Sequence, residues 1–176
     1  MEQLSPSEKY DLLVGDADFT LTKQMLEDGR RIFEREGEVE PWMGICHGWA
    51  PASFMASRPT QAVRTTSFDG QKELLFYPSD IKALTSLLWA NAKVPTRFIG
   101  GRCHTRQPPA DGNGRPNSIE CLDSNPGTWH LALVNQIGVA KRSFIMDASY
   151  DYEVWNQPIV SYEYRYFDPM TKKPFA

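Results

Sequence analysis

Residues 102–128 carry no hydrophobic periodicity, and their composition shifts to Pro, Gly, Asn, Asp and Arg. A stretch of that length without elements of its own is unusual inside a compact domain, so it is functional, disordered or cross-linked. Cys103 and Cys121 bracket most of it, and the chain has one further cysteine, Cys46. The pattern predicts a Cys103–Cys121 disulfide and one free thiol. Closing a loop of that size contributes about 3 kcal/mol. Asp111, Asn113 and Asp123 in the same loop could instead ligate calcium, although Arg115 stands where an EF-hand would need an oxygen ligand. No Cys-x-x-Cys or His-x-x-x-His spacing supports a structural metal.

Helical signals precede the loop and strand signals follow it, an α+β order. Ser5, Pro6, Ser7 and Glu8 read as a capping box opening a helix over 6–14 that stops at Gly15. A second helix over 22–36 sets Met25, Leu26, Gly29, Ile32 and Phe33 on one stripe, expected to pack on the core. Residues 63–68 and 73–77 around Asp69 and Gly70 read as a strand, tight turn and strand. Ser79 is expected to cap a third helix carrying Ile81, Leu84, Leu87 and Leu88, and a short strand is expected over 97–100. Beyond the loop, strands are expected over 129–137, 141–147, 153–156 and 160–167. The expected architecture is a set of N-terminal helices packed on an antiparallel sheet, as one catalytic domain over 1–176.

A chain of 176 residues can bury a core without cross-links or metals. Its net charge of -3, with Lys and Arg scattered, offers no electrostatic footprint for nucleic acid. No apolar run is long enough to span a bilayer, and Met1 to Ser5 lack the features of a signal peptide, which suggests a mature, excised or cytosolic chain.

The free cysteine lies in Gly44, Ile45, Cys46, His47, Gly48, Trp49, Ala50 and Pro51, after a loop-like run and before an apolar segment suited to a buried helix. A thiol acts as a nucleophile when a helix N-terminus and a nearby imidazolium favour its thiolate, and both aids can be read here. Gly44 and Gly48 would admit close approach of another backbone or a substrate. Pro51 implies a helix that begins after Cys46 or is kinked. The ordinary reading of such a cysteine is a small buried hydrophobe.

A base is found by counting register. If Gly138 and Val139 form a two-residue turn, Ile137 faces Ala140, Val134 faces Ser143 and His130 faces Asp147. That pairs a histidine with an orienting carboxylate. With Cys46 they make a Cys, His and Asp triad in chain order, and Asp151 is the alternative carboxylate.

The blocks SPSEKYDLLVGD, WMGICHGWAP, FYPSDIKALTSLLWAN, FIGGRC, NPGTWHLALVNQIG and DYEVWNQP, with the tyrosine-rich stretch after them, resemble the transglutaminase elicitor family of oomycetes and marine bacteria. The resemblance implies a protein-glutamine gamma-glutamyltransferase with a triad like that of papain-like peptidases, in a papain-like or transglutaminase-like arrangement. The family's cysteine falls on Cys46, its histidine on His130 and its aspartate most naturally on Asp147. The partners implied are a glutamine-donor protein and a lysine or polyamine amine acceptor, in a secreted or periplasmic setting. No cofactor is required by the sequence, and Ca2+ is the ion the loop carboxylates would suit.

For the tetrahedral intermediate, the Cys46 N–H and the Trp42 indole are the candidate oxyanion donors, and Trp42, Trp49 and Trp129 are candidate walls of a water-poor groove. A papain-like hydrolase, either a peptidase or a glutamine deamidase, would use the same triad. A non-catalytic reading has Trp155, Asn156, Gln157 and Pro158 form an exposed strand recognised by another protein.

Overall fold

The computed structural model describes residues 4–122, 124–149 and 151–174. Asp123, one of the loop oxygens considered for calcium, lies outside the described residues. The chain divides into two compact units, one of Met1–Pro95 with Asp147–Gln157 and the other of Thr96–Met146 with Pro158–Ala176. Helices and small two-stranded sheets make an α+β protein.

In the first unit, α1 (Pro6–Val14) begins as its sequence dictates. The Ser5 hydroxyl accepts the Glu8 N–H, while the Ser5 N–H donates to the Glu8 carboxylate at 2.7 Å. That backbone bond, with the Ser5 hydroxyl, holds the Glu8 carboxyl below its ordinary value. Helix α2 (Thr20–Glu36) has no cap of its own, because Phe19 at the N-cap has a left-handed backbone and no cap bond. Asp11 and Asp16 supply one. The buried Asp11 carboxylate takes the N–H groups of Leu21 and Thr22 at 3.2 and 2.9 Å and the Thr22 hydroxyl at 2.7 Å. Asp16 takes the Thr20 N–H at 2.9 Å. The start of α2 is thereby fixed by α1 and the turn after it.

The apolar stripe of α2 departs from expectation. Leu26 is 70% and Phe33 57% exposed, and no described residue of the helix is buried. The helix is tethered at its N-terminus and laced by Arg30 to Glu27 and Glu34, neither of which requires its apolar face to be covered.

Strands β1 (Val63–Thr66) and β2 (Glu73–Phe76) pair antiparallel, Val63 against Phe76 and Thr66 against Glu73, across the expected Asp69-Gly70 turn. Gly70 takes the positive φ such a turn requires. Leu74 on β2 is 1% exposed and centres this unit's core. Helix α4 (Pro78–Ala90) starts at Pro78, not behind a Ser79 cap: Asp80 accepts the Tyr77 N–H at 2.8 Å, so the acidic residue two places after the proline closes the helix end. The same carboxylate is paired with the buried Lys9 ammonium at 2.5 Å, linking α4 to α1. Helix α3 (Cys46–Met55) lies against α4. A Cβ on Gly48 would come within 2.2 Å of the Ser86 carbonyl oxygen and 2.6 Å of the Ala90 N and Cβ, so glycine there permits the approach, whereas Gly44 has nothing within 4 Å.

In the second unit the disulfide joins Cys103 and Cys121, the latter ending a single turn of 3-10 helix (Ile119–Cys121), and Cys46 is free. The expected 97–100 strand is absent, and the tyrosine-rich segment 160–167 holds only an isolated bridge, Phe167 to Pro174. The expected 129–147 hairpin is also absent. Residues Pro126–Leu133 form α5, and a π-helical turn over Val134–Val139 follows it. Asn125 caps α5 through its side chain, accepting the Gly127 and Thr128 N–H groups at 2.9 and 3.4 Å, with Pro126 at the first helical position. This start signal outweighs the short alternation behind it. His130 therefore stands on a helix, and the cross-strand pairing with Asp147 inferred from the register does not form. Gly138 lies inside the π turn, where a Cβ would meet the Tyr162 hydroxyl at 2.7 Å, so its small size serves close packing instead of a hairpin. Strand β3 (Phe144–Asp147) pairs with β4 (Asn156–Ile159) in a second two-stranded sheet.

Candidate active site

Cys46 is the first residue of α3, and the helix runs unbroken through Pro51 to Met55. The proline removes the N–H that would have bonded the His47 carbonyl and crowds that carbonyl with its ring, but the helix is continuous across it and does not start after it. At the first helical position the Cys46 backbone N–H has no intrahelical acceptor, and the N–H groups of a helix start favour negative charge nearby. The half-buried sulfur has two polar neighbours in the first unit. Its thiol lies 3.5 Å from the Val154 carbonyl oxygen, to which it can donate, and the Asn156 side-chain amide donates to Sγ at 3.1 Å. Ile45, Cys46, Trp49, Trp155, Asn156 and Gln157 line a cleft of about 310 Å³. The Trp49 and Trp155 indoles, each 46% exposed, form walls beside the sulfur.

The segment that carries Asn156 is held by Asp147. The Trp155 N–H donates to Asp147 Oδ1 at 3.0 Å, and the Ala148 N–H donates to the Trp155 carbonyl at 3.1 Å. The same Oδ1 takes the Ser149 N–H at 3.2 Å and the Ser149 hydroxyl at 2.8 Å. The Ser149 hydroxyl also lies 2.6 Å from the Glu153 carbonyl. Asp151, the alternative carboxylate, accepts the Glu153 N–H at 3.0 Å. Both aspartates thus close turns of the chain that leads to the cleft.

The three tryptophans of interest have separate surroundings. Trp49 lines the cleft. The Trp42 indole N–H donates to Glu40 at 3.2 Å, its ring meets Tyr152 edge-on at 5.9 Å, and the Tyr152 hydroxyl bonds the same Glu40 oxygen at 2.6 Å. That N–H is therefore engaged by a carboxylate in this structure. In the second unit, Trp129 packs edge-on against Phe144 at 5.6 Å. The His130 ring on α5 packs edge-on against Tyr164 at 5.1 Å and faces Tyr166 at 6.5 Å, while Tyr162 stacks on Tyr164 at 5.8 Å. This aromatic group limits how the imidazole can turn.

Trp155 and Asn156 as partners of Cys46 escape a reading of the sequence. The contact spans 110 positions, and an asparagine amide carries no local mark of chemistry. Among the described residues, no group of three or more His, Cys, Asp or Glu side chains could hold a metal ion, and Asp111 accepts the Asn113 and Arg115 N–H groups at 2.8 and 3.0 Å. No helix among them is long and apolar enough to cross a membrane.

The family model described as transglutaminase elicitor matches residues 14–176, nearly the whole chain. No curated protein and no solved structure matches the chain. A match that runs from the end of α1 through both units is shared by the whole molecule and not by one motif, and the chain belongs to the transglutaminase elicitor family.

Proposed function

We propose that the protein is a cysteine-dependent acyltransferase, a protein-glutamine gamma-glutamyltransferase whose nucleophile is Cys46. The observation that carries the reading is the free thiol at the first position of α3, facing a cleft walled by two indoles and bearing an amide donor on its sulfur. A structural cysteine packs among apolar atoms, whereas this one meets polar partners in an open recess. The family membership supports the same chemistry.

The reaction divides into two acyl transfers, as in papain-like cysteine chemistry. The Cys46 thiol gives its proton to His130, the thiolate attacks the γ-carboxamide carbon of a substrate glutamine, the C–N bond breaks, and His130 passes that proton to the departing ammonia. The resulting thioester is attacked by a lysine or polyamine amine, which loses a proton to His130; the C–S bond breaks, leaving an isopeptide or a conjugated amine, and His130 returns the proton to the sulfur to restore the thiol. Asp147 is the carboxylate assigned to orient the imidazole. Trp49 and Trp155 favour amine over water by lowering the water content around the thioester. The Cys103–Cys121 disulfide supports work in an oxidising, extracellular compartment.

The test supplies a glutamine-containing protein and a labelled primary amine, and follows label incorporation and ammonia release with and without calcium. The wild type is expected to release ammonia and incorporate label together, and Cys46→Ala to do neither. Ammonia without incorporation at saturating amine would make the protein a deamidase, and backbone cleavage would make it a peptidase. Incorporation that survives Cys46→Ala would end the reading.

A further inference from the structure

Resting on that reading, we infer that Asn156 is a catalytic residue, the side-chain donor that stabilises the oxyanion formed when Cys46 attacks a carboxamide. Its Nδ2 lies 3.1 Å from Sγ, the distance of a group poised at the reacting atom. Once sulfur bonds to the substrate carbon, the developing O⁻ stands one bond further out, near the same amide. An amide nitrogen has two hydrogens, so one can stay on sulfur while the other meets the oxyanion. Ionisation of the thiol fixes the orientation of this side chain. A thiolate can accept only from Nδ2, and an Oδ1 turned toward it would be repelled. The thiol proton has its own acceptor in the Val154 carbonyl, so the amide does not compete for it.

Placement supports the role. Asn156 opens β4, and its neighbour Trp155 is fixed through its N–H by Asp147 and through its carbonyl by the Ala148 N–H. A donor on so constrained a backbone needs little reorganisation during the reaction, which is the condition for a large electrostatic effect. With the Cys46 backbone N–H at the helix start, it completes a pair of donors. The pairing also removes the need for Trp42, whose indole N–H is bonded to Glu40.

The experiment measures amine incorporation and, separately, alkylation of Cys46 by iodoacetamide, a displacement that develops no oxyanion. Asn156→Ala should lower kcat by about 10²–10³-fold with KM changed less than threefold, as removal of an oxyanion donor does. Alkylation, compared at alkaline pH where the thiol is ionised in wild type and variant alike, should stay within a few-fold of wild type. Asn156→Asp, which keeps the shape and puts an acceptor where a donor stood, should lose at least as much kcat while retaining the wild-type melting temperature. Either variant transferring acyl groups within threefold of wild type would overturn the inference and leave the acyltransferase reading intact. Alkylation falling in parallel with kcat would overturn it too, by assigning Asn156 to the thiolate or to the fold. A wild-type protein that neither releases ammonia nor incorporates amine would remove both.

Discussion

Asp147 has one role in the structure and a second in the proposed chemistry, and a pair of substitutions separates them. Its Oδ1 holds the Trp155 and Ser149 N–H groups and the Ser149 hydroxyl, and the proposed chemistry also asks it to orient His130. Asp147→Ala removes the acceptor of these exposed hydrogen bonds, while the Ser149 hydroxyl keeps the Glu153 carbonyl, so it should destabilise the protein by about 1 kcal/mol and lower activity with it. Asp147→Asn keeps an Oδ1 acceptor for the same three donors, so its melting temperature should stay near wild type. Its activity should nonetheless fall about a hundredfold or more, because an amide cannot stabilise an imidazolium as a carboxylate does. Thermal unfolding and amine incorporation measured on both variants check this. A fully active Asp147→Asn would restrict the residue to holding the turn and shift the orienting role to Asp151. At this scale the sequence was legible where a residue acts through its own type: Cys46 is marked by its glycine-rich junction, and the odd cysteine count leaves it free. Asn156 was not, because its meaning comes from a fold that carries it 110 positions to a sulfur atom.

Elements were legible where local chemistry decides them. The Ser5 to Glu8 box, the Asp69-Gly70 turn and the Cys103–Cys121 pair each lie within one short stretch of chain, and each forms as the residue types require. The segment from Trp129 is helical where its alternation predicts a strand, because alternation over a few residues suits a strand as well as a buried helix. The deciding signal was Asn125 followed by Pro126 at the helix start. The exposed stripe of α2 shows the complementary limit, since periodicity reports which face is apolar and not what covers it. The contact of α3 with α4 decides where Cys46 stands, and it depends on Gly48. Gly48→Ala puts a Cβ at 2.2 Å from the Ser86 carbonyl, backbone that can yield only if the helices part. The substitution should cost about 1–3 kcal/mol by overpacking, and activity should fall beyond what the loss of folded protein explains. Chemical denaturation together with the specific activity of the folded fraction tests it. Gly44→Ala, with open space around it, is the control expected to change neither. A Gly48→Ala protein as stable as wild type would mean that α3 does not approach α4 so closely.

Over the whole molecule, two compact units, a family match from residue 14 onward and a disulfide in the second unit describe one α+β protein. The α+β class could be read from the order of helical and strand signals, and the family from blocks spread along the chain. The small size of the sheets could not, since strand propensity in 160–167 exceeds the pairing that the fold provides there. The central claim, that Cys46 carries the acyl group, is tested most directly by intact and peptide mass spectrometry. The protein is mixed with a glutamine-containing peptide in the absence of amine and quenched in acid within the first turnover. The account predicts an adduct equal to the peptide less ammonia, located on the peptide that contains Cys46 and discharged when a primary amine is added. Ammonia released with the adduct on any other residue, or with no adduct at any quench time and full turnover by Cys46→Ala, would contradict it.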